Sequence, residues 1–216
     1  NFMDTARVYA DSELVIGEFL QGRRDRWHVA TKFSGQQEGF EATLDAQLER
    51  LGTDYIDFYQ VHWAPGRDEQ ALYEALYRAK KSGKARAVGV SLYSAKDIDY
   101  ILDNAELDGF QLKFSLLDPE PFLMRLGRIR EHGLGLIIRS VLREGFLTGK
   151  YKRDARFTDP ADQRSRLSPE QVAATVDAVE RIRFREAEAG SMVAGAARYP
   201  LSFAEVSTVI LGTKNR

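Results

Sequence analysis

Cysteine is absent from this 216-residue chain, and that absence excludes several classes of protein. Without thiols the chain has no disulfides, thiolate metal sites, iron–sulfur clusters or cysteine nucleophiles. The three histidines, His28, His62 and His132, fall on separate predicted elements, so we expect no metal site. A lack of cysteine also fits a reducing compartment, and we expect a cytoplasmic location.

The sequence also lacks a charge excess of either sign and any long apolar run. Its 31 Lys and Arg residues face 32 Asp and Glu residues, for a net charge of -1. This balance argues against a nucleic-acid binder. No apolar stretch approaches the roughly 20 residues of a membrane helix, so we expect no membrane partner. With 44% hydrophobic and 29% charged residues, the composition is typical of a globular protein with a real core.

Short apolar runs alternate with amphipathic segments along the chain. The runs are mostly β-branched or aromatic, which is typical of strands buried on both faces of a parallel sheet. The predicted strands are 1–4, 27–32, 56–62, 85–91, 109–114, 135–139 and 207–212. Helical periodicity and capping residues predict helices between them. These are a helix opened by Asp11 and closed by Gly22, then 41–51, 69–81, 94–102, 121–131, 169–188 and 192–201.

Alternating strands and helices predict an α/β fold with a parallel sheet. Seven strands without a repeat or a linker favour a single domain over residues 1–216. An eight-stranded (β/α)8 TIM barrel lacking its first strand and its C-terminal helix or tail would show this pattern, so we expect a barrel incomplete at both ends. The polar stretch 152–168 is predicted to be a long loop at the ligand-binding end of the sheet, with a disordered surface segment as the alternative.

Polar residues stand at the ends of four predicted strands, namely Asp4, Lys32, His62 and Ser91. In parallel α/β folds ligands bind at this edge of the sheet. Asp4 and Lys32 are predicted to pair, because an unpaired buried charge costs several kcal/mol.

Tyr9 follows Asp4 in a predicted loop and brings a phenol to the same edge. A lysine beside a tyrosine hydroxyl favours the phenolate, which makes the phenol a usable proton donor. A neutral histidine can hydrogen-bond a substrate carbonyl. Taken singly, His62 also fits a strand-end histidine, Tyr9 a packing aromatic and Lys32 an ordinary ion-pair partner. Their combination favours a catalytic site.

Seven sequence motifs lie in order along the chain. They are Asp4-Thr5-Ala6-x-x-Tyr9-x-x-Ser12-Glu13-x-x-x-Gly17; Ala30-Thr31-Lys32; Arg50-Leu51-Gly52-Thr53-Asp54-Tyr55-Ile56-Asp57 with Gln60-Val61-His62-Trp63; Gly89-Val90-Ser91; Gln111; Gly145-x-Leu147-Thr148-Gly149-Lys150-Tyr151; and Val209-Ile210-Leu211-Gly212. Together they resemble the aldo-keto reductase superfamily over nearly the whole chain.

The resemblance implies a barrel that binds NADPH, or NADH, in extended form, which agrees with the absence of a GxGxxG loop after a strand. It implies that an aldehyde or ketone is reduced to an alcohol by hydride transfer. Tyr9 would be the general acid, Lys32 paired with Asp4 would lower the pKa of Tyr9, and His62 would orient the carbonyl. The partner would be a small-molecule carbonyl substrate, and Trp63 would form an apolar wall of its pocket.

The resemblance also implies a set of cofactor-binding residues. Ser91 and Gln111 would hold the nicotinamide carboxamide. Four residues would run along the pyrophosphate: Ser140, Leu142, Gly145 and Lys150. Three would grip the adenosine phosphate: Gly212, Thr213 and Lys214, where Lys214 suits a 2′-phosphate or is a solvated lysine. Three positions depart from the family: Leu92 for asparagine, Arg139 for an aromatic that stacks on the nicotinamide, and Leu211 for proline. The Arg139 guanidinium can also stack on a ring.

Two other functions remain open at this point. One is a cofactor-sensing regulatory subunit of the same fold with little turnover. The other is a different TIM-barrel enzyme that uses Asp4, Lys32 and His62 on a phosphorylated substrate. Two smaller features are interpreted structurally: Asp54 and Asp57 as a turn and a cap, and Pro200 as a kink or an end in the helix 192–201.

Overall fold

The computed structural model describes residues 1–34, 39–62, 70–92, 95–183 and 186–212. The chain divides into two compact units, Asn1–Leu112 with Arg125–Leu136, and Lys113–Met124 with Ile137–Arg216. No helix within the described ranges is long and apolar enough to cross a membrane.

Within the described residues, seven strands follow one another in the sheet in the same order as in the chain. They are β1 (Phe2–Asp4), β2 (His28–Phe33), β3 (Ile56–Val61), β4 (Ala85–Ser91), β5 (Gly109–Lys113), β6 (Gly135–Arg139) and β7 (Val206–Val209). Strands β1 to β5 pair in parallel, with Asp4 opposite Ala30, Lys32 opposite Gln60 and Ser91 opposite Gln111. This register brings the polar strand ends to one edge of the sheet.

The helices connect these strands, as the predicted alternation requires. In the first unit they are α1 (Ser12–Leu20), α2 (Phe40–Leu51), α3 (Gln70–Lys81), α4 (Ala95–Asn104) and α6 (Leu126–Glu131). In the second unit they are α5 (Glu120–Leu123), α7 (Pro169–Ile182), α8 (Glu186–Ala189) and α9 (Met192–Leu201). Short 3₁₀ turns occupy Arg24–Arg26, Phe146–Thr148 and Gln163–Arg166.

The predicted strands are confirmed to within one residue except at the last. Burial on both faces is correct for β3 and for β2 beyond its first residue, where apolar and aromatic side chains fill the core. The expectation is wrong for β1 and most of β7, which are partly buried. Strand β7 ends at Val209 rather than Gly212, and Leu211 and Gly212 are exposed.

Two predicted helices are each divided in the structure. Segment 121–131 contains α5 and α6, because Arg125 leaves the helical conformation with φ -113° and ψ 0°. Segment 169–188 contains α7, which ends at Ile182, and α8, which begins at Glu186; the Arg183 side chain after α7 donates a hydrogen bond to the Gly149 carbonyl oxygen at 2.8 Å. Pro200 lies in the last turn of α9 and has no N–H to donate to the preceding turn. The helix ends one residue later, at Leu201.

The polar loop 152–168 is ordered by contacts inside the second unit. Its one 3₁₀ turn carries Arg164, which is bonded to the Asp162 carboxylate and the Tyr151 hydroxyl. The Phe157 ring meets the rings of Phe146 and Tyr151. The prediction of a long loop is therefore correct in form, and its aromatic packing argues against the disordered alternative.

Asp57 is a buried carboxylate shared by several hydrogen-bond donors, rather than the predicted cap. Its carboxylate accepts hydrogen bonds from the Val29 amide at 2.9 Å, Arg24 at 2.7 Å and Arg86 at 3.0 Å. The two guanidinium groups also lie 4.0 and 3.9 Å from the ring centroid of Tyr55. Burial raises the pKa of Asp57, but the Val29 and Arg24 hydrogen bonds and the nearby guanidinium charges outweigh it and lower the pKa overall.

We expect Asp57→Asn to lower the free energy of unfolding by about 3 kcal/mol near neutral pH, because it leaves two arginines without their shared anion. A carboxyl with a lowered folded-state pKa stabilises the protein above its ordinary pKa, near 3.9, and loses that contribution as the pH falls through the folded-state value. Denaturant titrations from neutral pH to about pH 3 will therefore show a smaller acid loss in Asp57→Asn. Equal acid slopes in the two proteins would contradict this role.

Candidate active site

A buried ion pair joins the ends of the first two strands. Lys32, the next-to-last residue of β2, is 1% exposed, and Asp4 is the last residue of β1. The Lys32 Nζ donates to Asp4 Oδ1 at 2.8 Å, to Asp4 Oδ2 at 2.7 Å and to the Thr5 carbonyl at 2.8 Å. A buried ammonium needs such partners, and the predicted pairing of Asp4 with Lys32 is confirmed.

Tyr9 lies beside this pair on the loop between β1 and α1. Its side chain is 46% exposed, and its ring centroid is 5.6 Å from the Lys32 Nζ. His62 directly follows β3 and is buried, and its ring meets the Tyr9 ring edge-on with centroids 5.8 Å apart. The His62 Nδ1 is 3.3 Å from the Ser34 hydroxyl. The structure therefore brings the four predicted catalytic residues together.

Two of the predicted cofactor residues contact the same cluster. Ser91 ends β4 and Gln111 lies opposite it on β5, and both are 2% exposed. The Ser91 hydroxyl donates to Gln111 Oε1 at 3.3 Å, and Gln111 Nε2 donates to Asp4 Oδ1 at 2.8 Å. A continuous polar chain thus runs from Ser91 through Gln111 and Asp4 to Lys32. Leu92, which stands where the family often has asparagine, is buried.

The other described cofactor candidates lie in the second unit. Arg139 ends β6, and Ser140 after it has a left-handed φ of 59°. Gly145, with φ 90°, precedes the 3₁₀ turn Phe146–Thr148. Leu142 packs against the apolar core of this unit, whereas Lys150 is exposed, and its Nζ lies 5.1 Å from the centroid of the Tyr151 ring.

The remaining candidates stand at or beyond the limits of the described chain. Gly212 is its last residue and is exposed. Trp63, Thr213 and Lys214 lie outside the described residues. Within the described ranges, no three carboxylate or histidine side chains are arranged to hold a metal ion.

Sequence reasoning missed a buried polar network behind Lys32. Glu13 of α1 is 1% exposed, and its Oε1 accepts hydrogen bonds from Thr31 at 2.7 Å and Gln47 at 2.5 Å. The Tyr59 hydroxyl donates to Gln47 Oε1 at 2.7 Å, and burial, reinforced by the Glu13 charge, raises the pKa of Tyr59 well above its usual range. Tyr59 therefore stays a neutral donor. The available signal was that Glu13 belongs to the same motif as Tyr9.

Comparison with known proteins now identifies the family. The sequence profile of the Aldo/keto reductase family matches residues 1–216. The chain belongs to this family. An NADH-specific methylglyoxal reductase of Escherichia coli (strain K12) is 36% identical over 185 residues, covering 71% of this chain and 56% of that protein. The chain spans about half the length of the curated family members it matches.

Solved structures of the family share the fold. The glycerol dehydrogenase AKR11B4 from Gluconobacter oxydans superimposes with a TM-score of 0.82 at 27% identity, covering 99% of this chain and 72% of that one. An aldo/keto reductase from Klebsiella pneumoniae, solved in complex with NADP and acetate, gives a TM-score of 0.72 at 23% identity, covering 98% of this chain and 70% of that one. The strand order described above is therefore that of an aldo/keto reductase fold.

Proposed function

We propose that this protein reduces an aldehyde or ketone to an alcohol, with NADPH as the reductant and Tyr9 as the general acid. The observation that carries the proposal is the half-exposed Tyr9 ring lying 5.6 Å from a buried, fully paired ammonium. An accessible phenol reaches a bound carbonyl, and an adjacent fixed cation favours its loss of a proton.

The residues assigned to the nicotinamide carboxamide fit that group. Among the described residues, Gln111 donates one N–H to Asp4 and accepts one hydrogen bond from Ser91. Its amide keeps one N–H and one oxygen lone pair for a ligand. A primary carboxamide offers the complementary acceptor and donor. When bound, a nicotinamide cofactor supplies the hydride, and the protein supplies orientation and electrostatics.

The chain's own residues then move and hold one proton. As the carbonyl carbon gains hydride, the Tyr9 hydroxyl gives its proton to the developing alkoxide oxygen and is left as a phenolate. The Lys32 ammonium stabilises that phenolate, because a fixed positive charge nearby favours the negatively charged form. Asp4 and the Thr5 carbonyl hold the ammonium in place. His62 hydrogen-bonds the carbonyl oxygen and orients it toward Tyr9.

NADPH is proposed over NADH because the family resemblance assigns Lys214 to the adenosine phosphate, and a lysine cation pairs well with a 2′-phosphate. The family includes both cofactor types, as the names of the two proteins from Escherichia coli and Klebsiella pneumoniae indicate. The roles of Arg139, Ser140, Leu142, Gly145, Lys150, Gly212 and Thr213 in cofactor binding, and of Trp63 in the substrate pocket, remain predictions.

The test is carbonyl-dependent oxidation of NADPH and of NADH by the purified protein, with methylglyoxal and with an aromatic aldehyde. We expect turnover with both aldehydes and a higher kcat/KM for NADPH. Cofactor binding is followed separately by nicotinamide fluorescence. Tight binding without turnover would instead favour the regulatory subunit, and absence of binding would contradict the assignment of Ser91 and Gln111.

A further inference from the structure

Glu13 and Arg50 form a buried-to-surface ion pair that the proposed reaction does not use. The Arg50 Nε donates to Glu13 Oε2 at 3.2 Å, and Arg50 is 24% exposed against 1% for Glu13. The other Glu13 oxygen accepts from Thr31 and Gln47, and Gln47 also donates to the Lys32 carbonyl at 3.2 Å. Glu13 is therefore tied to the backbone of β2 at Lys32.

Arg50 makes a second contact, on the Tyr9 loop itself. Its terminal amino group donates to the Ala10 carbonyl at 2.7 Å. Ala10 directly follows Tyr9 and has a left-handed φ of 47°. An L-amino acid other than glycine keeps this strained conformation only when surrounding contacts stabilise it. The Tyr9 side chain is half-exposed, so side-chain packing holds it only in part.

The packing of α1 on α2 fixes the reach of Arg50. A Cβ on Gly17 of α1 would lie 2.4 Å from the Arg50 carbonyl oxygen and 3.0 Å from the Leu51 carbonyl carbon. Glycine is thus required for the two helices to approach this closely. The last turn of α2 consequently stands at a set distance from the loop that precedes α1.

We propose that Glu13 and Arg50 are positioning residues that hold the Tyr9 hydroxyl at its working distance from Lys32 and His62. Gln47 bonds both the Lys32 backbone and Glu13, and Arg50 bonds the backbone of the Tyr9 loop. The ion pair between Glu13 and Arg50 connects these two sets of contacts. The inference rests on the proposed function of Tyr9. A purely structural pair would instead affect stability and leave kcat of the folded protein unchanged.

The test compares Arg50→Met with Arg50→Lys and with Arg78→Met. Arg78 of α3 pairs with Glu41 of α2 at 2.9 Å, so it is an interhelical ion pair, more exposed than Glu13–Arg50, on helices that do not carry Tyr9. We expect kcat to fall about tenfold to a hundredfold in Arg50→Met, because small displacements of a reacting group cost that much. The KM and the nicotinamide Kd should stay unchanged. Arg50→Lys should recover part of kcat, and Arg78→Met should match the wild type.

An activity-independent measurement separates this proposal from the proposed function. The Tyr9 amide donates to the Ala6 carbonyl and the Ser12 amide to the Tyr9 carbonyl, each at 2.9 Å. Hydrogen exchange at these two amides should be faster in Arg50→Met than in the wild type and in Arg78→Met. If the wild type has no turnover, the proposed function fails. The exchange rates of the two amides still test whether Arg50 holds the Tyr9 loop in place.

Glu13→Gln/Arg50→Met provides a second route if the single variant unfolds, because it removes the buried charge together with its partner. The double variant should show the same loss of kcat and the same faster exchange. A folded Arg50→Met or double variant with wild-type kcat and wild-type exchange at both amides would overturn the proposal.

Discussion

Tyr9→Phe is expected to lower kcat by about a hundredfold to ten-thousandfold, the contribution typical of a positioned general acid. The substitution removes one hydroxyl and keeps the ring, so the edge-on contact with His62 and the cation contact with Lys32 remain. Because the side chain is half-exposed, loss of the hydroxyl should not alter folding. Nicotinamide binding should also be unchanged, since Ser91 and Gln111 are untouched.

Tyr55→Phe is the matched control. The Tyr55 ring lies between the guanidinium groups of Arg24 and Arg86, and Tyr55 precedes β3 whereas His62 follows it, so its hydroxyl is at the opposite end of that strand from His62. Steady-state kinetics and cofactor titration on both variants test whether the Tyr9 hydroxyl is the proton donor. If Tyr9→Phe keeps the wild-type kcat, the proton must come from another group and the assignment of Tyr9 is wrong.

Lys32→Met should have the second large effect, on stability as well as on turnover. It leaves the Asp4 carboxylate, with a side chain 7% exposed, without its cation and with the Gln111 amide as a remaining donor. Breaking a buried pair in this way costs about 3–5 kcal/mol of unfolding free energy. Turnover should also collapse, because the phenolate of Tyr9 loses the charge that favours it.

Asp4→Asn/Lys32→Met separates the two effects. Neutralising Asp4 removes the orphaned charge, so denaturant unfolding should show that the double variant recovers much of the lost stability. Its kcat should stay low, because the ammonium beside Tyr9 is still missing. A double variant no more stable than Lys32→Met, or a Lys32→Met protein with wild-type kcat, would contradict the role of this pair.

The sequence predicts the strands well because the buried runs differ from their surroundings in both composition and length. Ala85–Ser91 and Gly135–Arg139 match at both ends. The break in the segment 121–131 was not predictable in this way. It depends on Arg125, whose Nε donates to Asp99 of a distant helix at 2.9 Å, and periodicity within a segment carries no information on such a contact.

Part of the candidate site could be predicted from the sequence for a similar reason. Asp4, Lys32, His62 and Ser91 end strands, and strand ends in a parallel sheet meet at one edge. The pairing of Glu13 with Arg50 was not predictable, because charged residues on amphipathic helices usually face solvent. The burial of Glu13 and its pairing with Arg50 accompany the close approach of α1 to α2 at Gly17, which only the folded chain reveals.

The hydrogen bond from Gln111 to Asp4 joins positions 107 residues apart. Neighbouring strands in this protein are also neighbours in sequence, so a chain made from its N-terminus can add each strand to the one before it. Asp4 and Lys32 are synthesised before β5, so Asp4 gains its amide donor only once β5 has been translated and docked. Contacts that close such long loops form slowly. The chain of hydrogen bonds from Ser91 through Gln111 and Asp4 to Lys32 is therefore completed only after the first four strands are in place.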